Sequence, residues 1–269
     1  EQCATHIHLL DERADEAYLR TVLNLRLHPG LIASGSDLPI VYTPLHGTGS
    51  ASVIPALEKA GFRNIHIVES QREPDGNFPT VHSPNPEEGA ALAEGIALAR
   101  QIGAQLVMGT DPDSDRVGIA VPDASSDGGF RLLNGNETGA LLVDYVLEGR
   151  KASGQLNLET DFVAKTIVTS ELMAELGRAA GLQVHETLTG FKWIADTIRR
   201  EEGRGRFVVG GEESYGYMIG DAVRDKDAVA AACLLAELAH AAHEAGSDLL
   251  GQLEKIHRKN GAYKEALVS

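Results

Sequence analysis

The feature that most constrains the fold of this chain is a regular alternation between two kinds of segment. Short apolar runs rich in β-branched residues are separated by stretches with helical spacing, a pattern typical of βα units on a mostly parallel sheet. The predicted helices include residues 9–27, Glu87–Ile102 and Ala228–Ala245. The predicted strands are LPIVY (38–42), NIHIV (64–68), QLVMG (105–109), RVGIAV (116–121), FVAKTIV (162–168), LQVHE (182–186) and RFVVGG (206–211).

A polar, glycine-rich segment interrupts this alternation at residues 123–129 (DASSDGG), and the alternation resumes after it. A chain of 269 residues is long enough to bury one large core or two ordinary ones. The sequence therefore predicts an α/β fold in two domains, residues 1–126 and residues 127–269.

The charge balance excludes some classes of partner. There are 39 acidic and 24 basic residues, for a formal net charge of −15. Nucleic acids and anionic membranes are bound through basic patches, so the balance argues against both and favours a protein that binds cations. Cys3 and Cys233 lack metal-ligand spacing and predict two buried thiols in a reduced, cytoplasmic protein. No targeting leader is apparent, and no apolar run approaches the roughly 18 residues of a membrane span.

Functional residues of open α/β sheets gather in the loops beyond the carboxyl ends of strands. One such loop, TDPDSDR at residues 110–116, places Asp111, Asp113 and Asp115 at alternate positions. Three ionised carboxylates repel one another unless a cation lies between them, and a hard cation such as Mg²⁺ prefers oxygen ligands. In a flat strand the three would lie too far apart for one ion, so we expect the backbone to curl at Pro112 and Ser114.

Other interpretations of the aspartate loop are a solvated acidic turn, a calcium-binding EF-hand and a phosphatase site. An EF-hand requires glycine and glutamate where this chain has Arg116 and Pro122, so that interpretation fails. A phosphatase of the haloacid-dehalogenase type would use Asp111 as nucleophile and a later acidic motif such as GDAVRD (220–225). Its motif expects threonine or valine at Asp115, so it is the weaker alternative.

A second group of polar residues suits a carbohydrate ligand. Glu212 and Ser214 follow a predicted strand in the glycine-rich segment GGEESYGY (210–217), and a carboxylate beside a hydroxyl group can bind vicinal sugar hydroxyls. Gly190 in TLTGFKW (187–193) could begin a helix whose free N–H groups, with Lys192, favour an anion. We expect Trp193 to be a core residue.

A lysine between two acidic residues, Lys226 in RDKDAV (224–229), precedes a predicted helix. Such a lysine could move protons near a bound phosphate, or it could simply be part of a charged helix start.

Four segments, taken together and in this order, resemble the second and third domains of the α-D-phosphohexomutases, the phosphoglucomutase/phosphomannomutase superfamily. They are GTDPDSDRVGIAV, TLTGFKWI, GGEESYGY and RDKDAV. TPLHGTGS (43–50) and VHSPNPEE (81–88) also resemble stretches of the second domain. The resemblance implies two consecutive α/β/α layered domains with mixed, mainly parallel sheets.

The resemblance also implies an activity. These enzymes interconvert hexose 1-phosphate and hexose 6-phosphate through a phosphoserine and a bisphosphate intermediate, and glucose is favoured over mannose by the letters GFK. Several roles follow from the matching positions. Asp111, Asp113 and Asp115 would bind Mg²⁺, and Arg116 would contact the phosphoserine or the substrate. Glu212 and Ser214 would bind the sugar hydroxyls, and the sugar would be recognised by Thr189, Gly190, Phe191 and Lys192. Lys226 would act as the acid/base catalyst.

Two parts of the family pattern are not found in this sequence. The phosphoserine loop, with its Ser-His-Asn-Pro string, does not occur, and Ser83 falls in a second-domain stretch, so we do not assign it as the nucleophile. A phosphate-binding last domain is not found either. We therefore expect a central two-domain piece that is inactive without the first and last domains. The alternatives are a complete Mg²⁺-dependent phosphatase and a non-catalytic sugar-phosphate-binding module.

Overall fold

Two mixed β-sheets organise the part of the chain that the computed structural model describes, residues 10–265. The strands of the first sheet are β1 (Ile40–Thr43), β2 (Ile65–Ile67), β3 (Leu106–Thr110), β4 (Val117–Pro122) and β5 (Phe130–Leu132). Their order is β2-β1-β3-β4-β5. β1 is parallel to β2 and β3, whereas β4 is antiparallel to both β3 and β5. β1 and β3 are buried along their whole length, as expected for parallel strands covered on both faces.

The second sheet repeats this topology with one strand fewer. Its strands are β6 (Asp161–Thr166), β7 (Gln183–Thr187), β8 (Arg206–Gly211) and β9 (Tyr217–Ile219). They lie in the order β7-β6-β8-β9, with β6 parallel to both neighbours and β9 antiparallel to β8. Each sheet therefore contains an antiparallel hairpin directly beside its parallel strands, β3-β4 in the first and β8-β9 in the second. The first sheet adds a second hairpin, β4-β5.

Eight α-helices pack around these sheets within the described residues. They are α1 (Glu12–Leu23), α2 (Ser50–Ala60), α3 (Ala93–Ile102), α4 (Gly135–Ala152), α5 (Glu171–Ala179), α6 (Phe191–Glu201), α7 (Ala228–Glu244) and α8 (Leu249–Asn260). Short 3₁₀ turns cover Pro29–Ile32 and Glu69–Gln71. None of the helices in residues 10–265 is long and apolar enough to span a bilayer.

Side-chain caps fix where two important helices begin. At α4, the side chain of Asn134 accepts from the Glu137 N–H, and the Glu137 side chain accepts from the Asn134 N–H. At α7, the Asp227 carboxylate accepts from the N–H groups of Val229 and Ala230 at 2.9 and 3.0 Å. Each cap satisfies backbone donors that the first helical turn leaves free, and is worth about 1 kcal/mol.

The helices form three layers around the two sheets. α3 covers the outer face of the first sheet, where Val41, Val107 and Ala120 form an apolar cluster with Ala99. α6 covers the outer face of the second sheet through Phe191, Ile194 and Ile198. The remaining large cluster lies between the sheets and includes residues of both, together with α2, α4 and α7.

Helix α7 is the element that both sheets share. Its residues are buried nearly all round, and it contacts β3 and β4 of the first sheet as well as β9 of the second. A helix that is apolar on all sides is stable only inside a protein, so α7 requires both sheets for its burial. Cys233 on this helix is a buried free thiol.

A buried carboxylate joins α7 to the segment that follows α1. Glu237 has no exposed surface, and its Oε1 accepts from the N–H groups of Leu27 and His28 and from the Tyr145 hydroxyl at 2.8, 3.0 and 2.9 Å. Its Oε2 accepts from Arg26 Nε at 3.1 Å. The carboxylate thus holds the first part of the chain, α4 and α7 together.

The predicted fold class is confirmed: the structure has two α/β units with mixed, mainly parallel sheets. Each predicted strand overlaps an observed one, and the helix predicted at Ala228–Ala245 is α7. The helix predicted from Glu87 begins at Ala93, because residues before it form turns. The short strands β5 (FRL) and β9 (YMI) were not predicted, since each has only three residues with at most one β-branched side chain. Cys3 lies outside the described residues.

The domain boundary between residues 126 and 127 stays a prediction, and the sheet topology suggests moving it. Residues 123–129 form the turn between β4 and β5, which pair with Ala120 opposite Leu132. The glycine-rich segment is therefore a hairpin turn inside the first sheet. We propose a boundary just before Asn134, the N-cap of α4.

We predict that replacing Glu237 with alanine strongly destabilises this chain. The change would leave Arg26 and the backbone N–H groups of Leu27 and His28 without their acceptor, which should lower the free energy of unfolding by about 3 to 5 kcal/mol. Urea unfolding of the chain measures this. Glu244→Ala, at the exposed end of the same helix, is the control and should change stability by about 0.5 kcal/mol or less. Equal stabilities of the two variants would show that Glu237 does not hold the units together.

Candidate functional site

The aspartate loop connects β3 to β4 and is tightly curled. Ser114 has a left-handed backbone with φ of 59°, and its N–H donates to the Asp111 carbonyl at 3.0 Å. The curl brings Asp111, Asp113 and Asp115 together, so that one oxygen from each lies within 4.8 Å of the others. The expectation that the backbone leaves the strand geometry here is confirmed.

The three carboxylates have different surroundings. Asp111 is buried, and its Oδ1 accepts from the N–H groups of Asp115 and Arg116 at 3.1 and 2.9 Å. Burial raises the pKa of Asp111, although its hydrogen bonds with Arg116 oppose this. Asp113 is exposed. Asp115 Oδ1 is inaccessible to solvent yet has no hydrogen-bond partner among the described residues, and Arg116 Nε is 3.7 Å from it.

These surroundings fit a bound divalent cation. A buried carboxylate oxygen without a donor is costly, and a cation held by the three residues would satisfy it. The donor set consists only of carboxylate oxygens, which hard cations prefer. The cluster can therefore hold such a cation.

A neighbouring loop supports the aspartate loop from behind. The Thr48 N–H donates to the Pro112 carbonyl at 2.8 Å, and the Tyr42 hydroxyl lies 2.9 Å from Thr110 Oγ1. Gly47 is required for this close approach, since a Cβ there would lie 2.2 Å from the Pro112 Cα. The segment TPLHGTGS thus sets the position of the aspartates.

Arg116 is held by carboxylates on two sides. Its Nε donates to Asp111 Oδ2 at 2.7 Å, and its Nη1 lies 3.4 Å from Glu87 Oε1. Glu87 belongs to the long loop before α3 and was not singled out from the sequence. Burial raises the pKa of Glu87, and the nearby Arg116 opposes this. The guanidinium is therefore fixed at the edge of the aspartate cluster.

The glutamate loop connects β8 to β9, the equivalent hairpin of the second sheet. Glu212 is buried and its Oε1 accepts from the Gly190 N–H at 2.7 Å. Burial raises the pKa of Glu212, while the Gly190 N–H lowers it. Ser214 is half-buried, and Tyr215 after it has a strained left-handed backbone with φ of 66°.

The aspartate loop and the glutamate loop touch through their main chains. Arg116 and Gly216 form an antiparallel bridge, and the Val117 N–H donates to the Tyr215 carbonyl at 3.1 Å. The first N–H of α7, on Ala228, donates to the Ser114 carbonyl at 3.3 Å. The two loops, whose bridging residues Arg116 and Gly216 are 100 residues apart in sequence, are therefore neighbours in the fold.

Lys226 lies between the two loops. Its Nζ is 2.9 Å from Asp115 Oδ2 and 3.2 Å from Asp225 Oδ1, and 5.3 Å from the centre of the Phe191 ring. Burial lowers the pKa of Lys226, but the contacts with Asp115 and Asp225 outweigh it and raise the pKa above its usual value. The structure thus brings Lys226 against the aspartate cluster. In the segment 220–225, which the phosphatase interpretation would use as its later acidic motif, Asp225 contacts Lys226 and is not part of the aspartate cluster.

The segment TLTGFKW forms the start of α6, with Gly190 at its N-cap. Gly190 has φ of 113°, a conformation that favours glycine, and Thr189 and Lys192 are exposed. Phe191 is buried, but Trp193 is 38% exposed, so the prediction of a core tryptophan is wrong. The buried stripe of α6 is formed by Phe191, Ile194 and Ile198. Trp193, two residues after Phe191, lies on another face of the helix.

Two protein-family models match consecutive parts of this chain. Residues 16–127 match the family model for phosphoglucomutase/phosphomannomutase, alpha/beta/alpha domain II, and residues 134–256 match the model for domain III. A phosphoglucomutase of Staphylococcus aureus (strain USA300) is 38% identical over 234 residues, covering 87% of this chain and 41% of the relative. A phosphoglucomutase of Staphylococcus epidermidis (strain RP62A) is 37% identical over 263 residues, covering 98% of this chain and 46% of the relative.

A solved structure shows the same arrangement of elements. A Thermus thermophilus protein assigned as a phosphomannomutase superposes with a TM-score of 0.73 at 25% identity, covering 93% of this chain and 52% of that one. The chain spans less than half the length of the two curated relatives. With two consecutive family models matched along its length, this chain belongs to the phosphoglucomutase/phosphomannomutase family, of which it carries domains II and III.

Proposed function

We propose that this chain supplies the metal-binding and sugar-binding parts of a phosphohexomutase that interconverts hexose 1-phosphate and hexose 6-phosphate. The observation that carries the proposal is the direct contact between the aspartate loop and the glutamate loop, with Lys226 between them. A phosphoserine that donates and recovers the phosphoryl group would come from a domain of the protein other than these two. The last domain would complete the phosphate-binding site.

Mg²⁺ is the cation that we propose for Asp111, Asp113 and Asp115. Three carboxylate oxygens suit this ion and leave positions for water or phosphate oxygens. When bound, Mg²⁺ would neutralise negative charge on the transferred phosphoryl group.

Arg116 and Lys226 are the residues that we propose for the catalytic step. The guanidinium of Arg116 is fixed by Asp111 and Glu87, so it can offer its remaining donors to a phosphate without losing side-chain freedom on binding. Lys226 carries three donors and reaches Asp115 across the junction of the two loops. In this role it gives a proton to, or takes one from, the sugar hydroxyl that exchanges the phosphoryl group.

The sugar ring is proposed to bind at the glutamate loop. One oxygen of Glu212 is used by the Gly190 N–H, which leaves the other oxygen for a sugar hydroxyl, and the Ser214 hydroxyl adds a donor beside it. The residues proposed to recognise the sugar and its orientation are Thr189, Gly190, Phe191 and Lys192. The hexose is proposed to be glucose, because the two curated relatives described above are phosphoglucomutases.

We predict that Asp113→Asn weakens metal binding without unfolding the chain. Asp113 is exposed, so its loss costs little stability, but it removes one of three ligands and should raise the Mn²⁺ or Mg²⁺ dissociation constant by more than about 10-fold. Calorimetric titration of the chain measures the constant. Asp127→Asn, an exposed residue with the same change of charge, is the control. Equal affinities in both variants would contradict the metal assignment.

Gly47→Ala should weaken the same site from a distance. The added Cβ would displace Pro112 and with it the aspartate loop, so we expect metal affinity to fall by about 10-fold, as for residues that orient ligands. Gly76→Ala is the matched control, because a Cβ at Gly76 meets nothing within 4 Å. Unchanged metal affinity in Gly47→Ala would show that the loop position does not determine binding.

Coupled turnover of glucose 1-phosphate by the full-length protein tests the activity itself. We expect formation of glucose 6-phosphate, severe loss of turnover in Asp113→Asn, and a KM raised about 10-fold or more in Glu212→Gln, since a charge-assisted hydrogen bond is worth about 1.5 to 3 kcal/mol. Glu244→Gln is the control. Release of inorganic phosphate without isomerisation would support the phosphatase alternative, and ligand binding without turnover would support a non-catalytic module.

A further inference from the structure

Glu213 lies between the two proposed sugar-binding residues of the glutamate loop, but its side chain has a different environment. Its Oε2 accepts from the Thr169 hydroxyl at 2.9 Å and from the Thr166 hydroxyl at 3.3 Å. Both threonines are buried, with 3% and 0% of their surface exposed. The carboxylate is therefore bound to another part of the fold, the loop that follows the central strand β6.

The β6 loop is itself held by a buried lysine. Lys165, at 1% exposure, places its Nζ 3.3 Å from the Thr166 carbonyl oxygen and 3.2 Å from the Thr169 carbonyl oxygen. The ammonium group is also 3.3 Å from Glu171 Oε2, which compensates its charge. The two threonine hydroxyls lie 2.8 Å apart. Each hydroxyl carries one proton, so Thr169 is the closer donor to Glu213, and Thr166 donates either to Glu213 or to Thr169. The loop thus presents pre-arranged hydroxyl groups to Glu213.

The main chain of the glutamate loop is tightly packed on its other side. A Cβ on Gly135 would lie 1.8 Å from the Glu213 carbonyl oxygen, so the start of α4 lies directly against the loop. The Tyr215 hydroxyl donates to the Leu133 carbonyl at 3.2 Å. Tyr215 has a left-handed backbone, which such a bulky residue keeps only when its surroundings hold it there.

We infer that Glu213 is a positioning residue: its carboxylate, held by Thr166 and Thr169, fixes the conformation of the loop in which Glu212 and Ser214 meet the sugar. The inference rests on the proposed function, because it assigns a role toward the sugar that Glu212 and Ser214 bind. Glu213 acts through its neighbours and does not touch the substrate in this assignment. A precise loop matters because a misplacement of about 1 Å can cost a large factor in activity.

The test compares three variants of the full-length protein in the glucose 1-phosphate assay. Glu213→Gln and the double variant Thr166→Val/Thr169→Val should each raise KM by about 10-fold and lower kcat less, because the first removes the charge of the acceptor and the second removes the donors. Their combination should raise KM no further, since both changes remove the same interaction. The Mn²⁺ affinity should stay unchanged in all three, which distinguishes a local effect from general unfolding.

Conservative controls separate the hydrogen bond from size and charge. Thr169→Ser keeps the hydroxyl and should keep the KM of the wild-type protein, whereas Thr169→Val should raise it. Glu244→Gln, at the surface, repeats the change of charge without the contact. If Glu213→Gln leaves KM unchanged, or if Thr169→Ser raises it as much as Thr169→Val, the inference is overturned. Absence of mutase activity in the wild-type protein would instead overturn the proposed function, so the two failures are distinguishable.

Discussion

The site depends on a main-chain contact between two hairpins. Each sheet ends its parallel part in one antiparallel hairpin, and the two hairpins meet where Val117 donates to the Tyr215 carbonyl. Side chains on flexible loops would not keep the proposed metal site and the proposed sugar site at a constant separation. A backbone bridge does so, because both partners are continuous with buried strands. Lys226 adds an ion pair with Asp115 across the same junction.

Helix α7 makes this contact stable. It lies between the two sheets, and its first N–H donates to the aspartate loop. Polar side chains along the helix bind the first part of the chain: Asp227 accepts from Tyr18, Glu237 accepts from Arg26, and His240 lies 2.9 Å from Ser36. Such buried polar contacts specify one arrangement of the two units, since any other would leave them unpaired. The same helix therefore determines the domain interface and the position of the catalytic lysine that we propose.

Predictions from the sequence were accurate where the signal was local. The spacing of apolar residues located every described strand except β5 and β9, and the clustering of three aspartates pointed to a curled loop. Glu87 and Glu213 were assigned no role because their partners are distant in sequence, and only the fold shows that one contacts Arg116 and the other two buried threonines. The error at Trp193 has a related cause. Whether an aromatic residue near a helix start is buried depends on which face of the helix packs against the sheet. In α6 that buried face carries Phe191 and Ile194, and Trp193 is not on it.

The sequence by itself determined the α/β class, the order of the segments and the residue types available for chemistry, because periodicity and loop composition are local properties of the chain. It also showed the likeness to the phosphohexomutases. Only the tertiary structure decided which loops touch, which carboxylate oxygen has no donor among the described residues, and which glutamate contacts two buried threonines. Those facts depend on contacts between residues far apart in sequence, and a linear pattern does not contain the distances between them.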